Sequence, residues 1–368
     1  MKHNEYRPTW AEINLDHLWH NFEEAQKILK LKTIIPVIKA NAYGHDAIEV
    51  MKFLYKKGVR IAAVSLLEEA IELRALFTDI DILMLGPILA KDLDVASSYD
   101  IAVTIYDQEI YETIRNYGKW ITCHLKVDSG MSRYGLTETN QIIKMVEELQ
   151  SLKHISFKGI YTHFATANAD VIFYNKQLGM FKSLIKKIST LPPMIHVSNS
   201  SSIFKYEKDI KFTTHARLGI SLYGLSLDDP KPNLKPVMSL KSTVIQIKEL
   251  KAGDCVGYGA SYCAKIDERI AILPIGYADG FIRRNKTGHV EINHQKYKIV
   301  GTICMDACFI KIDDTVQLGD SCCNNTNCLT GFCQCQGANL SGMCLLAPVG
   351  TTCTTSYTCA SGECVFVG

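Results

Sequence analysis

The sequence predicts an α/β protein in three parts. These are a TIM-like (β/α)8 barrel over residues 1–235, a smaller antiparallel β domain over 236–320, and an irregular cysteine-rich tail over 321–368. Three observations predict this order. Short apolar runs alternate with longer amphipathic segments up to Lys235, apolar and polar residues alternate after Pro236, and cysteines become frequent after Asp320. A chain of 368 residues also exceeds what one hydrophobic core usually fills.

The first part consists of repeated strand–helix units. The predicted strands are Ile34–Ile38, Ile61–Val64, Ile82–Leu85, Ile101–Ile105, Ile121–Val127, Phe157–Tyr161 and Met194–Val197. The predicted helices include Asp16–Leu31, Asp46–Lys56, Leu67–Phe77, Gln108–Tyr117, Thr139–Leu149 and Tyr174–Ile188. Seven or eight such units over roughly 220 residues favour a closed barrel over an open sheet. No Gly-x-Gly-x-x-Gly sequence follows the first strand, which argues against a dinucleotide-binding fold.

The second part of the chain has the sequence pattern of antiparallel strands. Its predicted strands are Ser242–Ile247, Ile270–Pro274, His289–Ile292 and Tyr297–Ile303, separated by turns that contain glycine. Apolar and polar residues alternate along them, as expected when one face of a sheet is buried. The N-terminal segment up to about Trp10 is expected to pack on this domain.

The tail differs from the rest of the chain in its cysteines. Residues 1–320 hold five cysteines, whereas residues 321–368 hold nine and only one charged residue, Glu363. Such a composition is typical of small extracellular modules that are held together by disulfides. Metal binding is the alternative, but the tail has no histidine and no standard zinc spacing. The five dispersed cysteines, by contrast, are typical of a cytosolic protein, so the two parts indicate opposite redox compartments.

Charge and hydropathy exclude several functions. With 40 basic and 38 acidic residues, the net charge of +2 gives no reason to expect nucleic acid or an anionic membrane as a partner. The N-terminus lacks the apolar segment of a signal peptide, and no apolar run is long enough to span a membrane. A cytoplasmic protein without a metal is therefore expected.

The segment Val37–His45 carries the most specific signal. It places Lys39 at the end of an apolar strand, with Tyr43 four residues later. A lysine amine that loses solvation is more easily deprotonated and can then bond to a carbonyl carbon. The alternative is a barrel lysine whose amine simply reaches water.

Other polar residues follow later strands, where barrel active sites are built. Arg133, in the turn after Ile121–Val127, is suited to pairing with a carboxylate. His163 follows the next strand, and Asn199 and Ser200 follow Met194–Val197, where hydroxyl and N–H groups are suited to phosphate. The alternatives are a solvated arginine, a hydrogen-bonded core histidine and a helix cap.

These segments, with Ala216–Gly224, Gly257–Tyr262, Gly276–Gly280 and Cys304–Asp306, resemble the bacterial alanine racemases in order and spacing over residues 5–320. The resemblance implies an isomerase that interconverts L- and D-alanine with pyridoxal 5'-phosphate and supplies D-alanine for peptidoglycan. It implies that Lys39 carries the cofactor and acts on the D-face proton, while Tyr258 acts on the L-face proton. The cofactor-binding residues that it implies are Lys39, Tyr43, His163, Asn199, Ser200, Arg217, Gly219 and Ile220.

The resemblance also assigns substrate and partner contacts. Arg133 and Met305 would bind the substrate, and Lys126, Tyr277 and Asp306 would support the site. Lys126 matches a family lysine that is often carbamylated. Tyr258 and Met305 would cross the interface of a homodimer. Arg217 would contact the pyridine nitrogen, and because arginine does not give up its proton, the ring would become a weaker electron sink, which favours racemisation over transamination.

Departures from the family keep two alternatives open. Asn168 and Thr302 stand where the family commonly has Asp and Arg in the substrate entry, which suggests a broader-specificity amino-acid racemase. The family's closing segment, with a tyrosine near the phosphate, has no counterpart in residues 321–368, which suggests an impaired chimera that only binds the cofactor. Barrel-type decarboxylases share the fold, but their glycine-rich phosphate loop and catalytic cysteine are not recognisable. A cofactor carrier would not need Tyr258, and a secreted binding module would need a signal peptide.

Overall fold

The computed structural model describes residues 6–228, 230–284, 288–323, 344–345 and 365–366. The chain folds as two compact units. Among the described residues, one unit comprises those of 19–222 and 226–234, and the other comprises those up to Leu18, Tyr223–Leu225 and those from Lys235 onward. No helix within the described residues is long and apolar enough to cross a membrane.

The first strand of the chain, β1 (Thr9–Ile13), belongs to the second unit, and the first unit is a barrel of parallel strands. The barrel strands are β2 (Thr33–Pro36), β3 (Ile61–Val64), β4 (Asp81–Met84), β5 (Val103–Ile105), β6 (Ile121–Lys126), β7 (Ile155–Tyr161), β8 (Met194–His196) and β9 (His215–Leu218). Strands β5 to β9 pair in sequence, and β9 pairs with β2. Single bridges join β2 to β3 at Val37–Ala63 and β4 to β5 at Leu83–Ala102, which closes the ring.

Helices connect these strands. The helices are α1 (Leu15–Leu29), α2 (Ala47–Lys56), α3 (Leu67–Arg74), α4 (Leu93–Ser98), α5 (Gln108–Arg115), α6 (Thr139–Ser151), α7 (Val171–Ile185) and α8 (Ser200–Tyr206). Short 3-10 turns occur at Ala90–Asp92, Glu207–Ile210 and Ile220–Tyr223. Aliphatic side chains fill the barrel beside β2 to β5, including Ile35, Ala63 and Leu83.

The second unit is antiparallel. After the barrel its strands are β10 (Met238–Thr243), β11 (Gln246–Leu250), β12 (Cys255–Val256), β13 (Tyr262–Cys263), β14 (Glu268–Leu273), β15 (His289–Ile292), β16 (Gln295–Val300), β17 (Cys308–Ile312), β18 (Ser321–Cys323), β19 (Cys344–Leu345) and β20 (Val365–Phe366). The main sheet has the order β11-β14-β17-β16-β15-β18-β10-β1-β19, and β20 also pairs with β10. Strands β12 and β13 form a separate hairpin.

The predicted barrel and antiparallel β domain are confirmed, with differences in particular elements. The eighth barrel strand, His215–Leu218, was not among the predicted strands. The predicted single strand Ser242–Ile247 is wrong, because the chain leaves β10 after Thr243 and begins β11 at Gln246. Val244 and Ile245 lie between these strands, and apolar residues at such a corner extend the strand pattern in the sequence.

Most of the tail lies outside the described residues. Within it, Ser321–Cys323 pairs with β10 and β15, Cys344–Leu345 pairs with β1, and Val365–Phe366 pairs with β10. The predictions about the order and redox state of the remaining tail residues concern positions that the structure does not describe.

Candidate active site

Cationic side chains gather at the carboxyl ends of the barrel strands. Lys126 is the last residue of β6 and is 5% exposed, and Arg217 lies in β9 and is 3% exposed. Burial, together with the charges of Arg217, Arg133 and Lys39, lowers the pKa of Lys126 to about 8. Because electrostatic influence of this kind falls with distance, the four cations share one region of the barrel. Such a region attracts anions.

Lys39 begins an unusual segment. It follows β2 closely, is only partly buried, and is the first residue of a single helical turn, Lys39–Gly44. The four residues after it, Ala40 to Tyr43, have φ between 51° and 55° and ψ between 35° and 51°, so this turn is left-handed. For residues other than glycine this conformation costs about 1–2 kcal/mol each. The structure therefore holds strain immediately beside the lysine.

Side chains from the neighbouring helices hold this turn in place. The carboxylate of Glu69 accepts the backbone N–H of Ala40 at 2.5 Å with one oxygen, and those of Ser65 and Leu66 at 2.8 and 3.0 Å with the other. The amide oxygen of Asn41 accepts the N–H of Ala47 at 2.8 Å, at the start of α2. These bonds connect the turn to the ends of β3 and α2, which explains how the strained backbone persists.

Arg217 is fixed by acceptors that carry no charge. One terminal nitrogen donates to Nδ1 and to the carbonyl of His196, at 2.6 and 2.9 Å. The other donates to the carbonyls of Thr162 and Val197, at 2.7 and 3.3 Å, and to Nδ1 of His163, at 3.3 Å. Burial lowers the pKa of Arg217 to about 10, so the guanidinium remains charged at neutral pH. A buried cation held in this way leaves part of its positive field available to an electron-rich ligand.

These bonds also fix the tautomers of three histidines. Arginine can only donate, so Nδ1 of His196 and Nδ1 of His163 are acceptors and their protons lie on Nε2. The Nε2–H of His196 then donates to Nδ1 of His124 at 3.1 Å. Burial lowers the pKa of all three rings below the usual range, and the Arg217 charge adds to this shift. The three rings are therefore neutral at physiological pH.

His124, His196 and Tyr161 belong to the site although the sequence pattern assigned them no role. The ring of Tyr161 stacks on His196 with centroids 4.7 Å apart. Gly159 leaves room for His124, because a side chain at this glycine would collide with the imidazole. A period of two along a strand indicates which residues face the barrel interior, but it does not identify their partners on other strands.

The loop after β6 is organised by one carboxylate. One oxygen of Asp128 accepts the backbone N–H groups of Gly130, Met131 and Ser132, at 2.8, 2.8 and 3.2 Å. This loop carries Arg133, whose side chain is exposed to solvent yet close enough to lower the pKa of Lys126 and His163. The arrangement leaves a guanidinium available for a small carboxylate.

Small polar groups meet where β9 ends. A Cβ atom on Gly219 would lie only 3.0 Å from the hydroxyl of Tyr43, so glycine lets the backbone approach that tyrosine. The hydroxyl of Ser200 accepts the N–H of Ser221 at 3.2 Å, next to Ile220 in the 3-10 turn.

The neighbouring Asn199 caps a helix. Its side-chain oxygen accepts the N–H of Ser202 at 3.1 Å and caps α8, while its amide donates to the carbonyl of Phe164 at 3.2 Å. Ser198 is buried, and its hydroxyl has no hydrogen-bond partner among the described residues. Asn199 is therefore a helix cap. It is also the neighbour in sequence of Ser200, whose hydroxyl is suited to phosphate.

The β unit carries the second group of candidates. Tyr258 lies in a 3-10 turn of the β12–β13 hairpin, and its side chain is 68% exposed. The hydroxyls of Ser261 and Thr302 are 2.8 Å apart, which ties the hairpin loop to the segment before Met305. Cys255 and Cys263, at the base of this hairpin, are joined by a disulfide.

Two further predicted segments lie against each other in the same unit. The N–H groups of Tyr277 and Ala278 donate to the carbonyls of Cys304 and Met305, both at 3.0 Å. Tyr277, Met305 and Asp306 are exposed to solvent. The structure thus brings the candidates together in two groups, one in the barrel and one in the β unit.

Comparisons with known proteins identify the same two parts. Residues 13–227 match the family model described as alanine racemase, N-terminal domain, and residues 237–336 match the one described as alanine racemase, C-terminal domain. The second match therefore extends into the cysteine-rich segment. An alanine racemase of Geobacillus stearothermophilus is 36% identical over 327 residues, which cover 85% of this chain and 83% of the relative. One of Staphylococcus epidermidis is 34% identical over 330 residues, covering 87% and 86%.

Solved structures agree. An alanine racemase of Clostridium difficile 630 superposes with a TM-score of 0.80 at 36% identity and covers 86% of both chains. The alanine racemase of E. faecalis superposes with a TM-score of 0.82 at 34% identity, and the match covers 88% of this chain and 89% of that chain.

Proposed function

Because the chain belongs to the alanine racemase family, we propose that it is an isomerase that interconverts L-alanine and D-alanine with pyridoxal 5'-phosphate. The observation that carries the proposal is the group of cations at the barrel mouth, where Lys39 lies with Lys126, Arg133 and Arg217. A phosphorylated cofactor and an amino-acid carboxylate are both anions, so this field favours their binding.

The residues present fit this cofactor. Gly219 leaves its backbone open beside the Tyr43 hydroxyl, and Ser200 lies at the adjoining turn. Ser198 has a buried hydroxyl without a partner among the described residues. Hydroxyl and backbone N–H donors of this kind bind phosphate oxygens. Tyr43, Ser200, Gly219 and Ile220 would therefore hold the phosphate, Asn199 would support them, and Lys39 would supply the amine that holds the cofactor through its aldehyde group.

The chain's residues divide the remaining work between the cofactor ring and the substrate. Arg217 would lie against the pyridine nitrogen and would not protonate it, since the guanidinium retains its own protons at neutral pH. His163, neutral and fixed by Arg217, stands beside the ring. Arg133 binds the substrate carboxylate. When bound, the cofactor withdraws electrons from the substrate Cα and so eases loss of its proton.

Racemisation requires a base on each face of Cα. Lys39 moves the proton on the D face, and the phenol of Tyr258 moves the proton on the L face. The exposed turn that carries Tyr258 supports donation to another subunit, so Tyr258 and Met305 of one protomer complete the site of its partner in a homodimer. Lys126, Tyr277 and Asp306 position these groups. Asn168 and Thr302 are neutral, and the rates of racemisation of other amino acids measure how strictly the enzyme prefers alanine. We place the enzyme in the cytoplasm, where D-alanine would be available for peptidoglycan.

The substitution Lys39→Ala tests the assignment. We expect it to abolish both covalent attachment of the cofactor and racemisation, because the attaching amine is removed. Borohydride treatment followed by peptide mass spectrometry measures attachment, and formation of the opposite enantiomer measures racemisation. Lys144→Ala is the matched control, since that side chain is 78% exposed on α6. Covalent attachment at full stoichiometry in the Lys39 variant would show that another lysine holds the cofactor.

A further inference from the structure

Cys255 and Cys263 form an exposed cross-strand pair at the base of the hairpin that carries Tyr258. They are directly opposite each other in the β12–β13 ladder, with Cα atoms 4.0 Å apart, and they are joined by a disulfide. Both cysteines are exposed, whereas the next residues inward, Val256 and Ala264, are 4% and 3% exposed. The hairpin therefore packs one face on the β unit and presents the disulfide on the other.

A short ladder and the packing of Val256 in an apolar cluster with Ile270 and Val300 fix the ends of this loop. The ladder consists of two residue pairs, Cys255–Cys263 and Val256–Tyr262, and a hairpin this short is marginal in water. Gly253 and Asp254 add two backbone bonds with Ala264, both of 2.8 Å. The disulfide is thus one of the two rungs of this ladder. Tyr258 lies three residues after Cys255 and five residues before Cys263.

The loop itself depends on an uncommon backbone. Gly257 and Gly259 have φ of 68° and 72°, and Ala260 has φ of 45°. Two side-chain hydrogen bonds tie the C-terminal side of this loop to the rest of the unit, between the hydroxyls of Ser261 and Thr302 and from the hydroxyl of Tyr262 to Glu268. A change at the ends of such a loop moves its middle, where the phenol is carried.

We propose that Cys255 and Cys263 are a redox modification site whose oxidation state controls how Tyr258 is presented, and through it the rate of racemisation. This inference rests on the proposed function, because it gives Tyr258 the L-face proton. With the disulfide formed, the loop ends are held at one spacing and the phenol is in its working position. With two thiols, the ends separate, and the Tyr258-dependent step slows.

The chemistry is a thiol–disulfide exchange with a low-molecular-weight disulfide such as glutathione disulfide. The thiolate of one cysteine attacks a sulfur of that disulfide, and one glutathione thiolate leaves. The thiolate of the second cysteine attacks the resulting mixed disulfide, and the second glutathione thiolate leaves. Two protein thiols lose two electrons and two protons, and one glutathione disulfide is reduced to two glutathione thiols. The exposed position of both sulfurs permits the attack in either direction.

Among the described residues, the remaining cysteines are poorer sites. Cys123, Cys308 and Cys322 are buried, and burial raises the pKa of the Cys123 and Cys308 thiols, so few thiolates form there. Cys304 is partly exposed but has no described cysteine paired with it. The hairpin pair is therefore where we expect small disulfides to react first.

The test compares the holoenzyme equilibrated with reduced and with oxidised glutathione. Peptide mass spectrometry follows the Cys255–Cys263 link, and kcat, KM and cofactor content are measured on the same samples. We expect the link under oxidising conditions and two thiols under reducing ones. Reduction should lower kcat about tenfold, as a small misplacement of a catalytic group does, while KM and cofactor content stay constant.

Two variants make the result decisive. The double substitution Cys255→Ser and Cys263→Ser should have the kcat of the reduced wild type and should not respond to glutathione, whereas Cys304→Ser should respond as the wild type does. Equal kcat in the two redox states, or free thiols at both positions after oxidation, would overturn the inference.

Tyr258→Phe in the same assay separates the two proposals. If Tyr258→Phe lowers racemisation but the redox state does not, only the redox inference fails. If Tyr258→Phe leaves racemisation unchanged, the proposed function of Tyr258 fails.

Discussion

Arg217 is a buried cation without a buried anion beside it among its described partners. Its five described hydrogen bonds go to three carbonyls and two imidazole nitrogens, all neutral. An ion pair would cancel the charge, whereas these acceptors fix the guanidinium and leave its field largely intact. The cost of burying the charge is reflected in the lowered pKa of Arg217.

His196 supplies two of these five acceptors, which gives a test at the residue scale. His196→Phe removes the Nδ1 acceptor and leaves a buried N–H of Arg217 without a partner, so we expect a loss of about 1–3 kcal/mol in the free energy of unfolding. His196→Asn offers an oxygen near the position of Nδ1 and should lose less. Urea unfolding and cofactor titration measure both effects.

His20, a partly exposed histidine on α1, serves as the control for this pair of variants. His20→Phe should change stability by no more than about 0.5 kcal/mol, as is usual at a surface. Equal losses for His196→Phe and His196→Asn would mean that the imidazole contributes by its volume and not as an acceptor for Arg217.

Single residues also show what the sequence could and could not predict. Lys39, Arg133 and Arg217 were identified from the motifs around them, and the structure places their charges in one region. His124 and His196 stood in the same motifs without an assigned role. Their contact depends on β6 and β8 lying on either side of β7 in the barrel, and one strand's sequence carries no information about side chains on another strand.

At the scale of elements, the turn after Lys39 is the clearest departure from local preference. Ala40 and Ala42 strongly favour a right-handed helix, and the structure holds the segment Ala40–Tyr43 in a left-handed one. No sequence rule predicts this, because the opposing forces come from Glu69 and Asn41, whose hydrogen bonds connect the turn to β3 and α2.

Ala40→Gly measures the strain in this turn. Glycine removes about 1–2 kcal/mol of left-handed strain at the exposed Ala40 and gives back roughly 0.5–1 kcal/mol through the greater freedom of the unfolded chain. We therefore expect the free energy of unfolding to rise by up to about 1 kcal/mol. Ala70→Gly, in the right-handed helix α3, should instead lower it by about 1 kcal/mol. A loss of similar size at both positions would contradict a strained turn.

The tail shows a second limit at this scale. Its composition indicated a separate module held together by disulfides, yet Cys344–Leu345 and Val365–Phe366 pair with β1 and β10. Strand pairing uses backbone N–H and C=O groups, which every residue except proline supplies in full. A composition rich in cysteine and small polar residues therefore does not exclude short strands at a sheet.

For the whole molecule, buried neutral histidines set an expectation for acid stability. Burial lowers the pKa of His45 to about 4 and of His124 to about 3, and it lowers those of His163 and His196 well below the usual 6.5. Between about pH 6.5 and pH 4 the unfolded chain binds protons at these positions and the folded chain does not. Stability should therefore fall as the pH falls through this window, by up to about 1.4 kcal/mol per pH unit for each histidine.

Urea midpoints at pH 7.5, 6 and 5, followed by the fluorescence of the barrel residues Trp19 and Trp120, measure this dependence. The His196→Asn variant should have a shallower slope, because one proton fewer is taken up on unfolding. A midpoint that is constant across this range would show that these histidines are already charged in the folded barrel.

The proposed homodimer makes the last prediction. If each site combines Lys39 of one protomer with Tyr258 of the partner subunit, then Lys39→Ala and Tyr258→Phe damage different halves of it. Each variant alone should lose at least about 10²–10⁴-fold in racemisation. When the two are mixed, unfolded and refolded together, random pairing makes half of the dimers mixed, and each mixed dimer has one undamaged site and one doubly damaged site. About a quarter of the wild-type activity should then return.

Mixing without exchange of subunits is the control for this experiment, and sedimentation velocity before and after refolding establishes that dimers are present. Activity that stays at the level of the single variants in verified mixed dimers would mean that Lys39 and Tyr258 act within one chain. Monomers with wild-type activity would likewise contradict a site shared between protomers. Restoration of activity requires Lys39 from one chain and Tyr258 from the other. It therefore cannot arise from a change in stability alone, and it tests the geometry of the site directly.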